Sequence, residues 1–182
     1  MQFKGILIFI IICIALNTHA QENETSPDSS LHHRVSLIFS HTHIPVVNKE
    51  GGDKKTFIVA SLGVNYELWL NRKWAVGLHN DLLMQSFNIE NKPDGAIIKR
   101  EFPVVTALVG VYKPWRHWTF FGGPAKEFEK NETFTVIKTG VEYGVQLPKT
   151  WEVAVGVDYD TKIRGYDSWL VGIGIGKNFL RK

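Results

Sequence analysis

From residue 34 onward the chain alternates apolar and polar positions and shows no helical period of any length. Alternation sends successive side chains to opposite faces of an extended strand, so each run predicts a strand with one apolar face. Eight runs occur: Arg34 to Ile44, Thr56 to Leu70, Trp74 to Glu90, Ile97 to Lys113, His117 to Glu129, Thr133 to Gln146, Trp151 to Thr161 and Ser168 to Phe179. Their connections are of two kinds. After the second, fourth and sixth runs come the tight turns NRK (Asn71 to Lys73), KPWR (Lys113 to Arg116) and PKT (Pro148 to Thr150). After the odd-numbered runs come slightly longer, more charged stretches such as VVNKEGGDKK and NKPDGA. Eight strands joined this way predict an all-β, antiparallel up-and-down barrel, because closure removes the exposed edges of a flat sheet.

The faces are sharpest in the last two runs. Trp151, Val153, Val155, Val157 and Tyr159 alternate with Glu152, Ala154, Gly156 and Asp158; Trp169, Val171, Ile173 and Ile175 alternate with Ser168, Leu170, Gly172, Gly174 and Gly176. The sixth run sets Ile137, Val141, Tyr143 and Val145 against Lys138, Gly140, Glu142, Gly144 and Gln146, and the second sets Ile58, Leu62, Val64 and Leu68 against Ser61, Gly63, Asn65 and Glu67. In the third, Val76, Leu78, Leu82 and Met84 oppose Gly77, His79, Asp81 and Gln85, with Asn80 on the apolar side and Leu83 on the polar one. The fourth run, Val104 to Val111, is apolar on both faces.

Two barrels share this pattern and are inside-out versions of each other: a soluble periplasmic, lipocalin-like carrier with the apolar face inward, and a transmembrane barrel with it outward. The aromatic residues separate them. Tyr66, Trp69, Trp74, Tyr112, Trp115, Trp118, Tyr143 and Trp151 lie within a few residues of the tight turns, and Phe179 closes the last run at the same end. A ring of aromatics at one level is expected where a barrel meets lipid headgroups. The transmembrane form then places Glu67, His79, Asp81, Lys138, Glu142, Glu152 and Asp158 in the interior, where charges of both signs must pair. Runs of this length are sufficient for tilted strands to cross the hydrocarbon.

The N-terminus agrees with export. MQFKGILIFIIICIALNTHAQ has one lysine, an apolar run from Gly5 to Leu16, and Thr18 and Ala20 at the −3 and −1 positions of a cut, the layout of a signal peptide over residues 1–20. Residues 21–32 are expected to form a disordered tail on the strength of QENETSPDSS, and the barrel to occupy 33–182. Cys13 is the only cysteine and would leave with the signal peptide; Ile12 before it is larger than a lipid-attachment site wants. The net charge of +3 is scattered rather than clustered, which leaves nucleic acid without an electrostatic footprint.

On its eight alternating runs, its leader and its terminal strand DSWLVGIGIGKNF, the chain resembles the small eight-stranded outer-membrane β-barrels of Gram-negative bacteria, the outer-membrane β-barrel or porin-like domain. NYELWLNRKWAVGLH and the closing pair of strands look like uncharacterised barrels of Bacteroidetes type. The resemblance spans Arg34 to Lys182. It implies a cell outer-membrane location, lipids as surroundings, the barrel insertion machinery as a partner during biogenesis, and a monomer. The terminal strand is similar to the insertion signal of such proteins, but Leu180, Arg181 and Lys182 follow Phe179 where the family usually ends on an aromatic.

Chemistry is sparse. His41 and His43 stand two apart, about 6.6–6.8 Å along one strand face, a weak pair for a metal. They continue the outward set Val35, Leu37 and Phe39, while Ser36, Ser40 and Thr42 point inward, so a rim position without chemistry is favoured. His79 and Asp81 share the inner face but lack a serine nucleophile. The expectation is therefore a non-enzymatic barrel without cofactor and with a side-chain-filled interior, in a structural or interaction role. The enzymatic alternative is a lipid A deacylase or acyltransferase using Ser40, His41, His43 or Ser86; Ser40 and His41 point to opposite faces, which argues against it. The loops are expected to be short, with no long aromatic-rich hairpin.

Overall fold

The computed structural model describes residues 31–47, 54–90, 97–130, 132–163 and 165–180. The expected signal peptide, and the expected tail as far as residue 30, lie outside the described residues. Among the described residues ten strands are present: β1 (His32–Val47), β2 (Lys54–Trp69), β3 (Trp74–Leu83), β4 (Phe87–Glu90), β5 (Ile97–Arg100), β6 (Val104–Tyr112), β7 (Trp118–Phe128), β8 (Phe134–Gln146), β9 (Trp151–Ile163) and β10 (Asp167–Leu180). Eight of them close an antiparallel barrel in the order β1-β10-β9-β8-β7-β6-β3-β2, and β4 and β5 form a separate two-stranded hairpin. The all-β, eight-stranded, up-and-down architecture read from the alternation is the one observed.

Register follows from the faces. His32 to His43 pair with Leu180 to Trp169, which closes the barrel, and the same stretch of β1 pairs with Trp69 to Ile58 of β2. A slip of one residue would exchange the apolar and polar faces of a strand, so a two-faced barrel fixes its own register. The turns after β2, β6 and β8 define one end, called here the turn end. At Asn71 the side-chain Oδ1 accepts hydrogen bonds from the backbone N–H of Lys73 at 2.9 Å and of Trp74 at 3.0 Å, an Asx-type turn. At Pro148–Thr150 a 3-10 turn carries Lys149 and Thr150 at φ of 61° and 67°.

The opposite, loop end departs from expectation. The third and fourth alternating runs each break in two, at Met84–Ser86 and at Glu101–Pro103, and the hairpin β4–β5 lies between the breaks. The reasons are local. Ser86 falls on the apolar face and Phe87 on the polar one, which interrupts the alternation; Pro103 has no N–H to donate to a ladder, and Phe102 adopts a left-handed φ of 46°. The hairpin's Phe87 and Ile89 are buried with Ile44, Val59, Leu83, Phe134 and Tyr166, so a short aromatic hairpin does reach over this end of the barrel. Phe87 meets Tyr166 edge-on at 5.7 Å, and Tyr166 meets Phe134 at 6.3 Å.

The fourth run's two apolar faces also resolve. Val105, Ala107, Val109 and Val111 of β6 are fully buried inside, whereas Leu108 on the other face is 59 % exposed. Facing this wall across the barrel, β10 presents glycines. A Cβ at Gly172 would sit 2.7 Å from Ser40 Cβ and 2.9 Å from the Phe39 carbonyl, so β1 and β10 approach too closely there for a side chain. Gly172→Val is therefore expected to lower the unfolding free energy in urea by about 1–3 kcal/mol through overpacking. Gly110→Ala, whose new Cβ would find its nearest neighbour at 3.9 Å, is expected to stay within about 0.5 kcal/mol.

Candidate functional site in the barrel interior

The outward faces are apolar along most of their length: Phe39 and Ile173 are each 60 % exposed, and Val35, Leu37, Val64, Val76, Leu78, Val155, Val157, Val171 and Ile175 are exposed with them. The inward faces carry the charge, in three layers along the barrel axis. Nearest the turn end, Arg34 lies 3.4 Å from Glu67, 3.3 Å from Glu142 and 4.0 Å from Glu152, and Lys113 stands 3.7 Å from Glu152. Glu67 also accepts from Trp69 Nε1 at 2.9 Å and lies 3.2 Å from His79 Nε2. In the middle, Lys138 Nζ lies 3.0 Å from Asp81, 3.4 Å from Asp158 and 3.1 Å from Asp160.

Nearest the loop end, Arg100 donates to Glu127 Oε1 at 2.6 Å and to the Glu132 carbonyl at 2.8 Å, and pairs with Glu129 at 3.3 Å. Lys162 lies 3.5 Å from Glu127 and donates to Ser168 Oγ at 2.8 Å. In the turn between β9 and β10, Tyr166 donates its hydroxyl proton to Glu127 Oε2 at 2.8 Å. Burial, reinforced by the Glu127 charge, pushes that hydroxyl well above the usual tyrosine range, so the proton stays on the donor. Buried carboxylates that meet several cations and N–H or O–H donors are the arrangement that makes burial of charge tolerable.

Of the seven residues expected in the interior, Glu67, His79, Asp81, Lys138 and Glu152 are buried, and Glu142 and Asp158 are half-buried. Strand parity alone also places Arg34, Asp160 and Lys162 there, since each is an even step from Ser36 or Asp158. Arg100 and Glu127 are not legible as site residues because alternation does not assign them an inward face, and Tyr166 lies in a turn between two runs. His41 is exposed and His43 half-buried on the outer face, next to Val171 and Trp169 of β10 and Ala60 and Ile58 of β2. Among the described residues no group of three or more His, Cys, Asp or Glu converges as a metal site would require. Ser40 is buried on the inner face, away from His41.

Of the turn-end aromatics, Tyr66, Trp74, Trp115, Trp118, Trp151 and Phe179 are exposed, and Tyr112 and Tyr143 are half-buried. Trp74 packs on Tyr112 at 4.4 Å and Trp118 on Tyr143 at 5.2 Å. Trp69 is a correction: it is 3 % exposed, its ring stacks on His32 at 5.8 Å and its N–H serves Glu67. Its place in the sequence gave the reason, since it is an even step from Glu67 on an inward face. A second outward aromatic pair, Tyr159 and Trp169 with rings 4.5 Å apart, stands toward the loop end.

No protein-family model matches the sequence, and no curated protein matches it. Solved structures do match. Ail, the attachment invasion locus protein of Yersinia pestis, solved in complex with the heparin analogue sucrose octasulfate, is similar with a TM-score of 0.53 and 15% identity over 82% of this chain and 99% of its own. The outer membrane protein OprG from Pseudomonas aeruginosa is similar with a TM-score of 0.51 and 15% identity over 84% of this chain and 98% of its own. By fold, the chain is a closed eight-stranded antiparallel β-barrel similar to these outer-membrane proteins. The distribution of side chains, an apolar exterior around a charged interior, suits lipid outside and not water.

Charge pairing in the barrel interior gives a direct test. Lys138→Met removes the cation that three aspartates share and is expected to lower the unfolding free energy in urea by about 3–5 kcal/mol, the usual consequence of orphaning buried partners. Lys126→Met, at an exposed outward position of β7, is expected to change it by no more than about 0.5 kcal/mol.

Proposed function

We propose that the protein is a non-enzymatic, monomeric barrel integral to the outer membrane, with a structural or interaction role rather than transport or catalysis. The observation that carries this reading is the interior. Ion-paired side chains occupy it from Arg34 to Arg100, and the space lined by Ser40, Asn65, Asp81, Glu142 and Asp158 measures only about 20 Å³. Eight strands enclose little more than their own side chains, and here the roof of Phe87, Ile89, Phe134 and Tyr166 adds an apolar stopper.

Catalysis finds no support in the same geometry. His79 is 1 % exposed, with its ring edge against Phe121 at 4.8 Å and one nitrogen on Glu67, where a lipid substrate does not reach it. His41 is on the lipid side of the wall and Ser40 on the other. A carrier role is opposed by the charged interior, since an apolar ligand would need an apolar lumen. In this reading the turn end faces the periplasm and the loop end the exterior, as in barrels with short turns on one side. The exposed turn-end aromatics sit at the headgroup level, and the terminal strand β10 is recognised by the insertion machinery.

Three measurements follow. Purified protein in planar bilayers is expected to give no stepwise conductance. Lipid A mass spectra are expected to be identical with and without the protein; a lost or gained acyl chain that depends on His41 or His43 would favour the deacylase or acyltransferase reading. Ile173→Arg, on the outer face near mid-strand, is expected to lower stability in lipid vesicles by about 2–4 kcal/mol, and a value near zero would place that face in water.

A further inference from the structure

The middle charged layer holds more negative charge than its cations balance. Among the described residues Lys138 is the cation that meets Asp81, Asp158 and Asp160, and Glu142 shares Arg34 with Glu67 and Glu152. Asp81, Asp158 and Glu142 line the water-sized space of about 20 Å³, with Ile38, Ala154 and Leu170 among its apolar neighbours. Ser40 and Asn65 line it too, at 8 % and 7 % exposure, and among the described residues neither Ser40 Oγ nor Asn65 Oδ1 has a hydrogen-bond partner. Two uncommitted buried oxygens and three carboxylates thus border the same small volume.

A water molecule there would serve the two oxygens but leave the charge surplus in a medium where uncompensated charge is costly. A cation serves both. The donor set is oxygen alone, which selects a hard ion. A divalent ion of that class takes six or more oxygens in a close cage, and among the described residues no three acidic side chains converge tightly enough to begin one. Small residues keep the space open: a Cβ at Gly156 would press on Glu142 Cγ at 3.1 Å, and one at Gly172 on Ser40 Cβ at 2.7 Å. We propose that this space is a binding site for one monovalent alkali cation, sodium or potassium, held by Asp158 and Asp81 and by the oxygens of Ser40 and Asn65, with Glu142 at its border.

The test is urea unfolding of the refolded full chain in detergent micelles, in sodium chloride, potassium chloride and choline chloride at equal ionic strength. Choline is too large for the space, so it supplies screening without occupancy. The wild type is expected to be more stable in at least one alkali chloride, with a folding constant raised about tenfold when that ion is at about ten times its dissociation constant. Asp158→Asn and Asn65→Leu are each expected to lose that increment, and Asp158→Asn to be more stable than wild type in choline chloride. Sodium-23 NMR line broadening by the wild-type protein, relative to micelles alone, reads the same site without any variant. Equal stability in all three salts with no sodium broadening would overturn the proposal and leave water or protons as the occupant. Survival of the increment in both variants would overturn the assignment of the residues.

Discussion

The structure depends on charge compensation inside a closed sheet whose apolar side faces out. Eight buried or half-buried carboxylates, Glu67, Asp81, Glu127, Glu129, Glu142, Glu152, Asp158 and Asp160, meet Arg34, Arg100, Lys113, Lys138 and Lys162 in ten ion contacts of 4.0 Å or less. No single pair is self-sufficient. Arg34 serves three glutamates and Lys138 three aspartates, so each layer ties several strands to one cation. Arg34 links β1 to β2, β8 and β9, and Lys138 links β8 to β3 and β9. These links cross the lumen, where backbone ladders cannot reach, and they couple the register of strands that are not neighbours.

The rest of the interior is arranged around those long side chains. One wall is apolar and continuous in β6, and the opposite wall in β10 is reduced to glycine, which leaves room for Ser36, Ser40 and the arginine of β1. At the loop end the layers stop beneath an aromatic roof. Arg100 lies under Phe134 at 4.6 Å and Lys162 under Tyr166 at 4.2 Å, so the cations there are shared between carboxylates and ring faces. At the turn end Lys177 lies over Trp151 at 5.1 Å and Phe179 at 5.7 Å, on the outside. Charged stems and aromatic faces thus meet at both ends, inside at the loop end and on both sides of the wall at the turn end, where Lys113 lies 6.0 Å from the ring of buried Trp69.

Most of the barrel was legible because a period of two leaves one bit of information at each residue, inside or outside. From Val35, Leu37 and Phe39 that bit propagates to Ser40 inward and His41 outward, and from Asp158 to Asp160 and Lys162. What escaped was whatever broke the period. Phe102 and Pro103 end a strand that alternation alone carries through, and the Phe87 hairpin lies beyond that break. Trp69 shows the other failure, where residue type was weighed above parity: indole suits a headgroup boundary, but its position put it beside Glu67. Pairings across the lumen were not legible at all, because they depend on register around a closed ring and not on any one strand.

The central claim is that lipid covers the Phe39, Leu108, Val155 and Ile173 face while the Val105, Val109 and Val136 face packs against paired charges. It is tested most directly by nuclear Overhauser contacts between lipid acyl protons and methyl-labelled protein in bilayer nanodiscs. The account predicts acyl-chain cross-peaks to Leu108, Val155 and Ile173 and none to Val105, Val109 or Val136. Cross-peaks to the second set, or water contacts along the first, would contradict it.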